Sequence, residues 1–180
     1  MTLRVRLAQL ADVPALNVLI ERSARQLSVG YYTASQIDAV VRHVFGVDTR
    51  LIDDQTYFMV LDDEQLAGCG GWSRRRTLYG GDQRPVGGED WLDPAVDAAK
   101  IRAFFVAPEF ARRGVGRQLL ASCERAARDA GYATLELMAT LPGVPFYAAL
   151  GFTPVREVTD VLPDGTAIAF VHMQRPVVTG

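Results

Sequence analysis

Apolar positions alternate with arginines at the start of the chain, where Leu3, Val5 and Leu7 are separated by Arg4 and Arg6. A period of two marks a half-buried strand. Asp12 then suits a helix N-cap, with Pro14 in the first turn and Leu16, Leu19 and Ile20 on one helical face. Ile37, Val40, Val41 and Val44 recur at helical spacing, so a second helix is predicted from Ala34 to about Val44, stopped by Gly46. Thr56 to Leu61 and Leu66 to Trp72 read as a hairpin turning at Asp62-Asp63-Glu64. Gly68, Gly70 and Gly71 in its second arm point to a bulge or a close backbone approach. Lys100 to Val106 is a central-strand candidate, ended by Pro108. A helix from about Gly114 to Ala130 buries Leu119, Leu120, Cys123, Ala126, Ala127 and Ala130, with Gly131 after it. Ala133 to Ala139 is a strand, and Pro142 or Gly143 opens a short helix through Leu150. Phe152 to Val158 and Ala167 to Met173 close the chain as strands around Pro163-Asp164-Gly165. The order β-α-α-β-β-β-α-β-α-β-β predicts an α/β chain. Its mixed sheet has about six or seven strands with helices on both faces.

The pattern breaks from Arg76 to Asp97, where Gly80-Gly81, Pro85, Gly87-Gly88 and Pro94 interrupt it. We read residues 1–180 as one domain carrying an irregular insertion at about 76–97. With 49% hydrophobic residues the chain can bury a core, which excludes disorder as its main state. A net charge of −2 excludes a strongly basic nucleic-acid binder. Cys69 and Cys123 are far apart, and with His43 and His172 as the two histidines no metal site is expected. No apolar run approaches the roughly 20 residues of a membrane span, and Arg4, Arg6, Gln9 and Asp12 interrupt any signal-peptide core. The expectation is a soluble cytoplasmic protein without nucleic-acid or membrane partners. Of 19 basic side chains one is lysine, Lys100, so cationic contacts are planar and fork-like.

Chemistry concentrates at Val106 to Leu120, VAPEFARRGVGRQLL. A strand runs through a proline into a short loop and then a helix, whose first N–H groups lack intrahelical partners and favour anions. Gly114 and Gly116 let the backbone approach a bulky oxyanion, and Arg112, Arg113 and Arg117 surround it. The loop lacks the Lys-Ser/Thr pair of a nucleotide-hydrolysing loop.

This segment resembles the acetyl-CoA signature of the GNAT superfamily of N-acyltransferases, Arg/Gln-x-x-Gly-x-Gly/Ala after Val-x-Pro. Val106-Ala107-Pro108 fits the lead-in and Gly114-Val115-Gly116 the end, while Ala111 stands at the first position with Arg112 and Arg113 beside it. Phe146-Tyr147-Ala148-Ala149-Leu150-Gly151-Phe152 is similar to the family's Phe-Tyr-x-x-x-Gly-Phe. Pro142 stands where the family often has an asparagine that contacts the pantetheine arm. The resemblance implies a GNAT fold and transfer of an acetyl group from acetyl-CoA, as cosubstrate, to an amine. It places the cosubstrate on Phe104, Phe105, Val106, Arg112, Arg113, Gly114, Val115, Gly116 and Arg117.

The implied reaction is direct attack through a tetrahedral intermediate. A lysine-like amine of pKa about 10.4 must lose a proton, which at pH 7 costs roughly 4.6 kcal/mol. A backbone N–H between Phe104 and Val106 is expected to steady the oxyanion. Tyr147 is the expected general acid for the leaving thiolate. The strand Lys100 to Phe104 carries no carboxylate to act as base; Glu136, facing away from Leu135 and Leu137, and His43 are candidates. The insertion, with five acidic groups and two arginines, is a candidate acidic flap over a cationic amine. The acceptor stays open among small amines, amino acids, antibiotics and protein N-termini, and the resemblance allows a homodimer. The alternative reading is a catalytically silent CoA-binding sensor or partner module.

Overall fold

The computed structural model describes residues 2–76, 82 and 90–178. Its strands are β1 (Leu3–Leu7), β2 (Tyr57–Asp62), β3 (Gln65–Ser73), β4 (Ala99–Val106), β5 (Thr134–Thr140), β6 (Thr153–Val161) and β7 (Ala167–Pro176). The helices are α1 (Val13–Leu27), α2 (Ala34–His43), α3 (Thr49–Asp53), α4 (Val115–Asp129) and α5 (Val144–Ala149). The seven strands form one mixed sheet in the order β1-β2-β3-β4-β5-β7-β6. β4 and β5 run parallel, and all other neighbours pair antiparallel.

Strand parity assigns the two faces. Ala99, Ile101, Leu135, Leu137, Val171 and Met173 pack with Leu120, Cys123 and Ala127 of α4 and with Tyr147 of α5. Ile168 and Phe170, on the alternate positions of β7, pack with Ile37 and Val40 of α2 on the other face. Leu16, Leu19 and Ile20 of α1 are buried, as their spacing predicts.

Three local readings change. Asp12 stands at the N-cap of α1 as expected, but its carboxylate caps no helical N–H; it takes the Gln9 N–H at 2.8 Å and both terminal nitrogens of Arg6 at 2.8 Å. The five residues of α3 are too few to show a helical period, and Asp48 caps them by accepting from Arg50 N at 3.2 Å. β6 and β7 run on to Val161 and Pro176, beyond the sequence expectation, because β6 is largely exposed and gives no alternation.

Most of the insertion, with Gly80, Gly81, Pro85, Gly87, Gly88 and Glu89, lies outside the described residues. Its described ends are tied together. Arg75 bridges Trp91, Leu92 N donates to Arg74 O at 2.7 Å, and the guanidinia of Arg74 and Arg75 lie 4.5 and 4.7 Å from the Trp91 ring.

Candidate functional site

β4 and β5 pair at Ala99–Leu135 and Lys100–Glu136 and then part. β5 stays with β7 through Thr140, while β4 stays with β3 through Val106. Beyond Lys100, the side of β4 that faces β5 therefore meets no strand. Main-chain N–H and C=O groups there are open to an extended ligand with amides of its own.

A bulge shapes this edge. The β3–β4 register shifts between Cys69 and Gly71, and Ala103 takes φ +52, a left-handed conformation rare for alanine. The fully buried Tyr57 donates its hydroxyl to Ala103 O at 3.1 Å and holds the bulge from below. Gly70 makes room for it: a Cβ there would stand 2.4 Å from the Phe104 ring. At Gly70 the close approach expected of the β3 glycines is thus an approach of β4's own side chain, while Gly68 faces Val115 of α4 and Gly71 faces Thr56 O and Tyr57.

After β4, Pro108–Phe110 form a 3-10 turn, and Arg112 (φ +62) and Gly114 (φ +86) reverse the chain into α4. Gly114 is the N-cap and has no capping side chain, and the first helical bond is Gln118 N to Gly114 O at 3.0 Å. The N–H groups of Val115, Gly116 and Arg117 are left pointing out of the helix end. Arg112, Arg113 and Arg117 are exposed around them. Arg113 lies 5.8 Å from the Phe110 ring, while Arg112 and Arg117 form no ion pair among the described residues. The arrangement can hold a polyanion with dipole, amides and guanidinia together. Gly116 has a second reason to be glycine, since a Cβ would lie 2.9 Å from Phe146 Cζ. The two motifs thus pack on each other.

Tyr147 sits where α5 closes the splay, 8% exposed, with ring centroids 6.3 Å from Phe104, 5.0 Å from Phe146 and 5.6 Å from Phe152. Burial, with a smaller contribution from Cys123, raises its phenol above the usual tyrosine value, so it stays protonated and can donate. Phe105 projects toward the helices, 5.3 Å from Phe45. Phe45 lines a groove of about 200 Å³ with Asn17, Ile20, Glu21, Val41 and Gly46.

On the α2 side of the sheet, at the apex of the splay, stands a polar cluster that the sequence did not reveal. Glu136 receives Lys100 Nζ on Oε1 and lies 2.6 Å from His172 Nε2 through Oε2. All three side chains are 12–14% exposed. Burial, then Arg156 and Lys100, lowers the His172 pKa, so the ring is neutral at pH 7. A carboxylate only accepts, so the His172 proton is on Nε2 and Nδ1 keeps a lone pair. That Nδ1 is buried without a hydrogen-bond partner among the described residues. Glu136 does face away from Leu135 and Leu137, but toward this cluster rather than into water. The signal that was missing is the β5–β7 register, which sets Met138 against His172, 34 positions further along the chain.

Other candidates have structural partners. His43, at the end of α2, faces Asp164 in the β6–β7 turn at 3.5 Å. Arg102 and Asp48, each side chain 2% exposed, form a buried pair at 2.8 Å that fixes the start of α3 against β4. Asp82 accepts from Thr49 N and Oγ1 at 2.9 and 3.0 Å. Burial pushes the Cys69 thiol up to about 12 and also raises Cys123, so neither offers a thiolate at neutral pH. Among the described residues no histidine, cysteine and carboxylate group is arranged to hold a metal, and no helix is long and apolar enough to cross a membrane.

The acetyltransferase (GNAT) family matches residues 22–152 of the chain. No curated protein matches it in sequence. Solved structures share its fold along nearly the whole length. A GCN5-related N-acetyltransferase from Rhodopseudomonas palustris superposes with a TM-score of 0.70 at 18% identity, over 98% of this chain and 96% of that one. PaiA N-acetyltransferase from Thermoplasma acidophilum, solved with coenzyme A, gives 0.65 at 13% identity over 98% and 99%. The yncA protein of Salmonella typhimurium, solved with its cofactor acetyl-CoA, gives 0.65 at 16% identity over 100% and 96%.

Proposed function

The chain belongs to the GNAT acetyltransferase family, and from that premise we propose that it moves the acetyl group of acetyl-CoA directly onto an amine. The observation that carries the proposal is the open β4 edge, which leads at one end to the uncapped N-terminus of α4 and is closed by Tyr147. Two neighbouring folds were solved with coenzyme A or acetyl-CoA, and the residues here fit the same cosubstrate. The amides of Val115 to Arg117, with Arg112, Arg113 and Arg117 around them, take the diphosphate. The free edge of β4 from Phe104 to Val106 takes the pantetheine amides.

In the proposed reaction His172 Nδ1 accepts a proton from the ammonium form of the acceptor. The cation so formed is balanced by Glu136, which already holds Nε2. The freed nitrogen attacks the thioester carbon, a C–N bond forms, and the oxyanion is met by a β4 main-chain N–H. The C–S bond then breaks, the departing sulfur takes a proton from Tyr147, and the phenolate recovers one from the attacking nitrogen, which keeps a single proton as the amide. Burial makes the phenol a weaker acid but strengthens the hydrogen bond it offers to sulfur, and the Phe104, Phe146 and Phe152 rings exclude the water that would compete for it.

Release of free thiol from acetyl-CoA across a panel of small amines, amino acids and N-terminal peptides tests the reading. Turnover on at least one amine supports it. Tight CoA binding with no turnover on any amine would instead identify a silent acyl-CoA sensor.

A further inference from the structure

Four neighbouring strands send polar side chains to the α2 side of the sheet, and the reaction above uses those of three. Lys100 of β4, Glu136 of β5 and His172 of β7 form the cluster at the apex of the splay. The fourth strand, β6, brings Arg156, which pairs with His172 in the β6–β7 register. Directly opposed residues share a face, with Cβ atoms about 4.5–5.5 Å apart. Arg156 therefore stands beside the ring whose Nδ1 is buried without a hydrogen-bond partner among the described residues. Its charge reaches that ring, being the first cause after burial of the lowered His172 pKa. The guanidinium itself is exposed and forms no hydrogen bond or ion pair among the described residues. The charges here do not cancel. Lys100 offsets Glu136, His172 is neutral, and Arg156 leaves one positive charge over. Arg102, the other arginine on this side of the four strands, is committed to Asp48. A surplus cation beside a base repels an acceptor whose only charge is an ammonium. It attracts one that carries a negative charge next to its amine. The planar fork of a guanidinium matches a carboxylate in shape.

We propose that the acceptor is an α-amino acid and that Arg156 selects it, binding its carboxylate while its amine faces His172 Nδ1. The proposal rests on the acetyl-transfer reading above and names the substrate class of that same site. An alkyl amine, an amino-acid amide or the N-terminus of a peptide lacks the negative charge beside the amine. A phosphorylated amine carries close to two negative charges against one guanidinium. The free amino acid supplies one charge, of the right shape, within a side chain's reach of the nitrogen that reacts.

Thiol release from acetyl-CoA tests it, measured at pH 8, where His172 is neutral with or without Arg156. The acceptors are the free amino acids, their amides and phosphoethanolamine. At least one amino acid is expected to exceed its own amide in kcat/KM by about tenfold or more, the size of one charge-assisted hydrogen bond. Arg156→Gln is expected to raise KM for that amino acid by a similar factor, with kcat and the weaker turnover of the amide unchanged. Arg156→Lys should recover part of the loss, since it keeps the charge without the fork. The matching 2-hydroxy acid, which has the carboxylate and no amine, should compete with the amino acid on the unaltered protein and not on Arg156→Gln. Amides used as well as amino acids, a preference for phosphoethanolamine, or an Arg156→Gln variant with unchanged KM would overturn the substrate assignment and leave acetyl transfer standing. No turnover on any acceptor, with CoA still bound, would overturn both.

Discussion

The Ala103 bulge is the point where fold and chemistry meet, and Tyr57→Phe isolates it. The substitution removes one oxygen from a fully buried side chain and leaves its ring in place. What is lost is the hydroxyl bond to Ala103 O at 3.1 Å. Stranding a buried acceptor costs about 1–3 kcal/mol, and a left-handed alanine stores about 1–2 kcal/mol. The tether and the strain it restrains are therefore of the same size, and without the tether β4 is expected to relax toward an ordinary strand. Relaxation would turn Phe104 off Gly70 and re-aim the amides from Phe104 to Val106. At about 2 kcal/mol, the melting temperature should fall by about 4–8 °C for a chain of this size. Acetyl-CoA affinity and kcat should fall with it. Tyr132→Phe is the control, because that hydroxyl also donates to a main-chain oxygen, Leu92 O at 3.2 Å, but away from the splay. Thermal melts and acetyl-CoA titrations on both variants decide the matter. Equal losses of stability with equal retention of acetyl-CoA affinity would refute the reasoning, since the bulge would then be a packing detail.

Tyr147→Phe should lower kcat by about 100-fold, the lower end for loss of positioned proton transfer, and leave the melting temperature within a degree or two. Steady-state kinetics and a melt on one preparation check both. The His172 pKa is depressed in the fold, so its neutral ring contributes stability fully above the unfolded value near 6.5, and that contribution is lost as pH falls through the lower folded value. kcat/KM should fall over the same lower range, and His172→Gln should remove that limb from both the activity and the stability profiles. Arg102→Met takes the partner from Oδ2 of the Asp48 carboxylate, 2% exposed, whose Oδ1 keeps Arg50, and should cost about 3 kcal/mol, the lower end for breaking a buried pair, in urea unfolding. Arg102→Met with Asp48→Leu should recover most of it.

How much was legible in the sequence follows from how local each signal is. α4 could be read because its apolar stripe recurs within one element and Gly131 ends it. The strand–loop–helix around the start of α4 could be read because Pro108, Gly114 and Gly116 punctuate one continuous stretch, and the family match over 22–152 bears out the resemblance drawn from it. The reason for Gly116 was only half legible, since its neighbour Phe146 comes from another motif. The splay of β4 from β5 leaves no mark in either strand, because it is set by which third strand each one follows. The Lys100–Glu136–His172 cluster joins three strands, and a lone histidine in β7 carries no sign of the carboxylate it meets. The bulge at Ala103 was hidden for the same reason: the glycine that permits it is in β3 and the tyrosine that holds it is in β2.

The central claim is that main-chain amides at the start of α4 hold the diphosphate of the acetyl carrier. Titration calorimetry of the protein with CoA, and then with pantetheine, which lacks the diphosphate, tests it most directly. Charge-assisted hydrogen bonds contribute about 1.5–3 kcal/mol each, so the account predicts that CoA binds at least about tenfold more tightly than pantetheine. Equal affinity for the two, or no heat with CoA at all, would contradict it.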